Sequence, residues 1–144
     1  HGLAHPSLKA DDLAKMLGAG HPINPGFELV KYSQGSVRHR HYPPDIKTNA
    51  EMTPQELAQI YVIGQAAALV SATEVISKSS EAKYKEAQSK RVEIAKSALG
   101  GVSEAAGLLA APTRENAIKF VQSIAGKDLT GAVGSKLPAK SDYK

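Results

Sequence analysis

Polar and apolar positions divide this chain into two unlike parts. From Thr53 onward the apolar residues recur at helical spacing; before it they do so once. The sharpest local signal is Thr53-Pro54-Gln55-Glu56. Thr caps, Pro sits at the first helical position where its missing N–H costs nothing, and Glu reaches back from the third. A helix therefore starts there. The next 17 residues, Leu57 to Thr73, carry no charge, and their apolar side chains cover most of the helix circumference, which predicts a helix buried on most sides. The run falls short of the roughly 20 residues that cross a bilayer. Gln59, Gln65 and Ser71 also interrupt it, so it reads as a core helix with no membrane span. Gly64, Ala68 and Ala72 recur every four residues, a spacing that lets another helix approach closely, within the chain or from a second subunit.

After Ser77 to Ser80 the pattern changes to a charged amphipathic helix with Tyr84, Ala87, Val92, Ile94, Ala95, Ala98 and Leu99 inward, ending at Gly100-Gly101. Glu81 with Lys85 and Glu86 with Lys90 stand four apart in the favourable order. Uninterrupted from Pro54 to Leu99, a helix would run about 69 Å at 1.5 Å per residue, so either the chain turns near Ser77 to Ser80 or the protein is elongated. A shorter helix spans Val102 to Ala110, stopped by Pro112. Thr113 then caps a last one through Ala117, Ile118, Phe120, Val121 and Ile124, with Gly126 as its stop. The fold class is all-α: a bundle of about four helices over residues 53–126, an N-terminal arm over 1–52 and a C-terminal tail over 127–144 that reads as mobile or ordered by a partner.

The arm has one short helical pattern, in which Ser7 caps Leu8, Leu13, Met16 and Leu17 and Gly18 and Gly20 end it. Beyond it Pro22, Pro25, Pro43 and Pro44 push their preceding residues out of the helical region, which predicts extended or irregular backbone. Phe27, Leu29, Val30 and Tyr32 read as a short strand, although no partner strand is evident.

Composition narrows the chemistry. The 144 residues suffice for one domain. With no cysteine, a disulfide scaffold, a thiolate zinc site and a cysteine nucleophile are excluded. Eighteen Lys and Arg against fourteen Asp and Glu give +4, a balance that makes a polyanionic partner worth testing. A first residue that is His rather than Met predicts that a preceding segment has been removed. All five histidines lie within the first 41 positions. His39 and His41 share a face in extended backbone, but two imidazoles without a third ligand do not make a metal site. Nothing nominates catalysis: no GxSxG, SxxK or HExxH occurs, and the glycine pairs lack phosphate-loop spacing. Neither cofactor nor metal is expected.

The densest polar cluster is Arg38-His39-Arg40-His41-Tyr42. In extended backbone Arg38, Arg40 and Tyr42 face one way, so two guanidiniums straddle successive phosphates while the ring offers a sugar or stacking contact. The alternative is a solvated loop whose cations pair with Asp45 and Glu28. Lys31 and Lys47 extend this basic set along the arm, and Lys83, Lys90 and Arg91 add a second one on the charged helix, where a solvated mixed-charge face is the competing reading.

A Cys-free, Ala-rich helical bundle over Thr53 to Gly126 behind an irregular segment over His1 to Met52 resembles, in plan, the major coat proteins of filamentous and rod-shaped archaeal DNA viruses. In that family paired subunits wrap double-stranded DNA and hold it in the A form. The resemblance implies a structural coat subunit of a virion, self-assembling with itself or a paralogous copy into a helical filament around double-stranded DNA. It carries over no site residue; the basic residues above rest on their own chemistry. Two other readings remain: an accessory or scaffold subunit of an intracellular complex, which would bind protein and not DNA, and a secreted effector using His39 or His41. If the arm contacts nucleic acid, Arg38→Ala with Arg40→Ala weakens polyanion binding and flattens its salt dependence while helix content stays intact, which a salt-titrated binding assay and circular dichroism measure together. Unchanged binding would remove the arm from the nucleic-acid interface.

Overall fold

The computed structural model describes residues 9–35 and 51–144. Their regular structure is entirely helical, with no strand among the described residues. The seven α-helices are α1 Ala10–Gly18, α2 Leu29–Ser33, α3 Pro54–Lys78, α4 Ala82–Leu99, α5 Ala106–Ala110, α6 Arg114–Ile124 and α7 Thr130–Val133. The four expected helices correspond to α3 through α6, so the architecture is all-α with more, shorter elements than the pattern predicts.

α3 starts as its capping box dictates: Thr53 Oγ1 accepts from the Glu56 N–H at 3.2 Å, and the Glu56 carboxylate accepts from the Thr53 N–H at 2.7 Å. It runs 25 residues, well past the charge-free stretch. By length and composition it could cross a bilayer, with a mean hydropathy of 1.5 over 18 residues. Here other helices supply the apolar surroundings: α4 packs along it as the second arm of a hairpin, and α2, α6, α7 and α1 cover further faces. Ala58, Val62, Leu69 and Ala72 are completely buried. The first three pack in one core with Leu99, Ala105, Leu108, Ile124 and Val133.

The hairpin turn is pinned from outside. Ser79 ends α3 by donating its N–H to the Val75 carbonyl at 3.0 Å, and its hydroxyl accepts from the Glu81 N–H at 3.2 Å. The Asp11 carboxylate of α1 accepts from the Ser79 hydroxyl at 3.4 Å and the Ser80 N–H at 3.3 Å. Behind these bonds Ala10, Ala14, Val75 and Tyr84 form a second small core. Residues 9–35 are therefore part of the folded body, not an extended arm.

Two further expectations change, and one open alternative is settled. The supposed strand at Phe27 to Tyr32 contains the short helix α2, because the Glu28 carboxylate accepts from the Val30 and Lys31 N–H groups, both at 2.8 Å, and so supplies an N-cap. Burial raises the Glu28 pKa even though these two bonds and the Lys31 charge act to lower it. The small-residue position Gly64 is used within the chain: a Cβ there would stand 3.0 Å from the Leu29 Cβ, so glycine lets α2 lie directly on α3. And residues 127–144 fold back on the bundle. Leu129 and Val133 enter the main core, the Lys136 ammonium donates to the Ser97 and Ala98 carbonyls at the end of α4 (2.8 and 3.0 Å), and the Lys144 N–H donates to the Lys31 carbonyl at 2.9 Å.

Helix ends elsewhere are closed by side chains from other elements. Gln59 of α3 donates to the Ile124 carbonyl at the end of α6 (2.8 Å), which also accepts from the Lys127 N–H, and to the Lys127 carbonyl just beyond it (2.7 Å). Lys127 in turn reaches Glu104 at 2.6 Å, and that hydrogen bond leads the causes that lower the Glu104 carboxyl from 4.5 to about 2. A carboxylate with a depressed folded pKa stabilises the fold above its unfolded pKa, and the effect is lost as pH falls toward the folded value. The stability difference between the native chain and Glu104→Gln should thus be constant above about pH 5.5 and shrink between about pH 4.5 and 2. Paired thermal melts from pH 6 to 2 measure it; a difference that does not change with pH would show that the ion pair contributes nothing.

Candidate functional site

Of the eight residues expected to contact nucleic acid, Arg38, Arg40, Tyr42 and Lys47 lie outside the described residues, as do His39 and His41. The remaining four separate. Lys83 and Lys90 of α4 line one groove, Lys31 of α2 is half-buried away from it, and Arg91 is buried.

The groove runs between α1, α4 and the Ile23 to Pro25 segment, with a volume of about 570 Å³. Ala14, Leu17, Ile23 and Ala87 give it an apolar lining, while Lys83, Lys90, Glu81 and Glu86 carry its charges. Seven residues separate the two lysines, which puts them on one helical row about 10.5 Å apart along the axis. Lys90 is paired with Glu86 at 3.1 Å, and both side chains are more than half exposed, so this bond orients the ammonium more than it stabilises the fold.

α4 buries Tyr84, Ala95, Ala98 and Leu99 as expected and departs from the expected inward face at Ala87 and Ile94. Its buried row is Tyr84, Gln88, Arg91, Ala95 and Ala98, stepping by four and three, while Ile94 is 43% exposed and Ala87 only half-buried. Choosing the inward face by hydrophobicity alone misses this, because Gln88 and Arg91 are polar yet occupy the row that faces the core. The Arg91 stem can pack like an aliphatic side chain. Its guanidinium donates to the Asn24 carbonyl at 2.7 Å, tying α4 to the segment between α1 and α2. Burial lowers the Arg91 pKa and raises that of the Tyr84 hydroxyl, which stays protonated at neutral pH. Arg91 is therefore removed from the candidate interface and assigned to the fold.

With Arg91 inward, the outer faces of α4 carry Lys83, Lys85, Lys90 and Lys96 against Glu86 and Glu93. That is a net +2 on one helix of a chain whose total is +4. Among the described residues no three His, Asp or Glu side chains gather as a metal site requires. No protein-family model, curated protein or solved structure matches the chain.

Arg91→Ala should lower stability by about 2–4 kcal/mol, since it removes both packing and the bond to Asn24. Arg91→Met, which keeps the stem, should recover part of that loss, and neither change should weaken polyanion binding by the folded protein. Thermal melts and a DNA titration check this pair; a loss of binding at unchanged stability would put Arg91 back on the interface.

Proposed function

We propose that this chain is a structural subunit that assembles around nucleic acid, with double-stranded DNA as the first candidate and a coat or nucleocapsid role in a virion as the setting. The observation that carries the reading is the outward face of α4, where Lys83 and Lys90 stand on one row of a helix held rigidly against α3. Two exposed ammoniums on one helix can each meet a phosphate, contributing position and counterion release with no sequence readout. The role is structural, with no catalytic step, cofactor or metal assigned.

A second reading has its own support. Glu81 and Glu86 share the groove with the two lysines, and its lining is largely apolar, which suits a protein partner with mixed charges. On that reading the chain is an accessory or scaffold subunit of an intracellular complex.

Salt dependence separates the two. Changing Lys83 and Lys90 together to Gln should weaken DNA binding across sequences and reduce the slope of log K against log salt by about 0.9 for each phosphate that no longer meets a cation. Fluorescence anisotropy with a linear duplex at several salt concentrations measures it. An unchanged slope with intact binding would exclude this face, and no binding by the native chain would favour the protein-partner reading.

A further inference from the structure

Assembly requires a face on which copies of the chain meet, and the polyanion reading already assigns the α4 face. The groove between α3 and α6, with a volume of about 340 Å³, differs. Ala67, Val70 and Ala117 line it, and beside them Ile118 is 59% exposed, the most exposed large apolar side chain among the described residues. Its lining holds one acid and one base, Glu74 and Arg114, joined at 3.1 Å. Arg114 is 73% exposed and donates to Glu74 from Nη2 and Nε at 3.1 and 3.3 Å, and Glu74 also accepts from the Lys78 ammonium at 2.6 Å.

A contact between identical copies about a two-fold axis must be self-complementary: whatever one copy projects, the same patch has to receive. This patch holds a projecting apolar side chain next to an apolar groove, and an exposed base next to a partly covered acid. We propose that the α3/α6 groove is a two-fold contact between two copies of this chain, with Ile118 of each seated in the groove of the other and Arg114 of each reaching the other copy's Glu74. Lys78 keeps each Glu74 neutralised as Arg114 turns outward. The inference deepens the assembly reading, on which it rests, and leaves the basic face of α4 available to a polyanion.

The test is sedimentation equilibrium of the full chain over a range of concentrations, with circular dichroism to confirm folding. The native chain should populate a dimer, and Ile118→Glu should weaken it by on the order of tenfold or more, as expected for a central apolar anchor. Arg114→Glu and Glu74→Arg should each weaken self-association, since each places like charges in apposition twice. Mixing these two variants should restore dimers, because both cross-contacts then pair Glu with Arg. Pairing within one chain cannot mimic this result, since each variant alone carries two like charges at positions 74 and 114. Failure of the mixture to restore dimers, or dimers unaffected by Ile118→Glu, would overturn the contact. DNA titration of the same proteins distinguishes the two failures. A chain that binds DNA yet stays monomeric at its highest soluble concentration overturns this contact alone. Dimers formed through this face by a chain indifferent to DNA support the contact and overturn the nucleic-acid reading. If Ile118→Glu abolishes DNA binding and leaves dimers intact, the face belongs to DNA and the contact is overturned.

Discussion

Everything in this structure depends on covering α3. A helix apolar on most of its circumference cannot present one face to a core and the other to water. Burying a Val, Leu or Ile side chain is worth about 1.5–3 kcal/mol, so each side of α3 left in water would lose several such contributions. α4 covers one side along most of its length. The rest is assembled from short pieces: α2 at Gly64, α6 from Glu74 back to Gln59, α7, and α1 near the hairpin turn. A four-residue helix such as α7 has little stability of its own, and its place on α3 is what holds it.

The same constraint brings polar side chains from distant parts of the chain to the helix ends and turns. Gln59 emerges from the apolar run of α3 and closes the end of α6, Lys136 closes the end of α4, and Asp11 holds the turn between α3 and α4. Each meets backbone groups at a helix end or a turn. Arg91 does the same from within the core, joining α4 to Asn24.

How much is legible in the sequence follows from how local each signal is. The capping box at Thr53 and the Thr113 cap before α6 depend on residues within a few positions, and they can be read, whereas the turn between α3 and α4, which the pattern leaves open, is held by Asp11 of α1. α2 reads as a strand because alternation at Phe27 to Tyr32 is visible, whereas the reach of the Glu28 carboxylate to two N–H groups is not. Part of the inward row of α4 is misread because Arg91 and Gln88 count as polar in any pattern, and their place depends on Asn24 and α3. The stripe at Gly64 can be assigned to an internal neighbour only once Leu29, 35 positions earlier, is found against it. The C-terminal segment looks like a tail because its anchors, Ser97, Ala98 and Lys31, lie far away in sequence. Of the candidate site, Lys83 and Lys90 are found by sequence and share a groove, whereas the α3/α6 groove gives no sequence signal beyond the apolar periodicity of α6.

On the proposed function the two exposed faces have different tasks: α4 meets a polyanion, and the α3/α6 groove meets another copy of the chain. The two-fold contact closes within a pair of copies, and each pair then presents two basic α4 faces to the DNA. Electron microscopy of the full chain with linear double-stranded DNA, at low and moderate salt, tests this most directly. The expected result is nucleoprotein filaments that depend on the DNA and weaken as salt rises. Discrete particles of monomer size at both salt concentrations, the same with and without DNA, would contradict it.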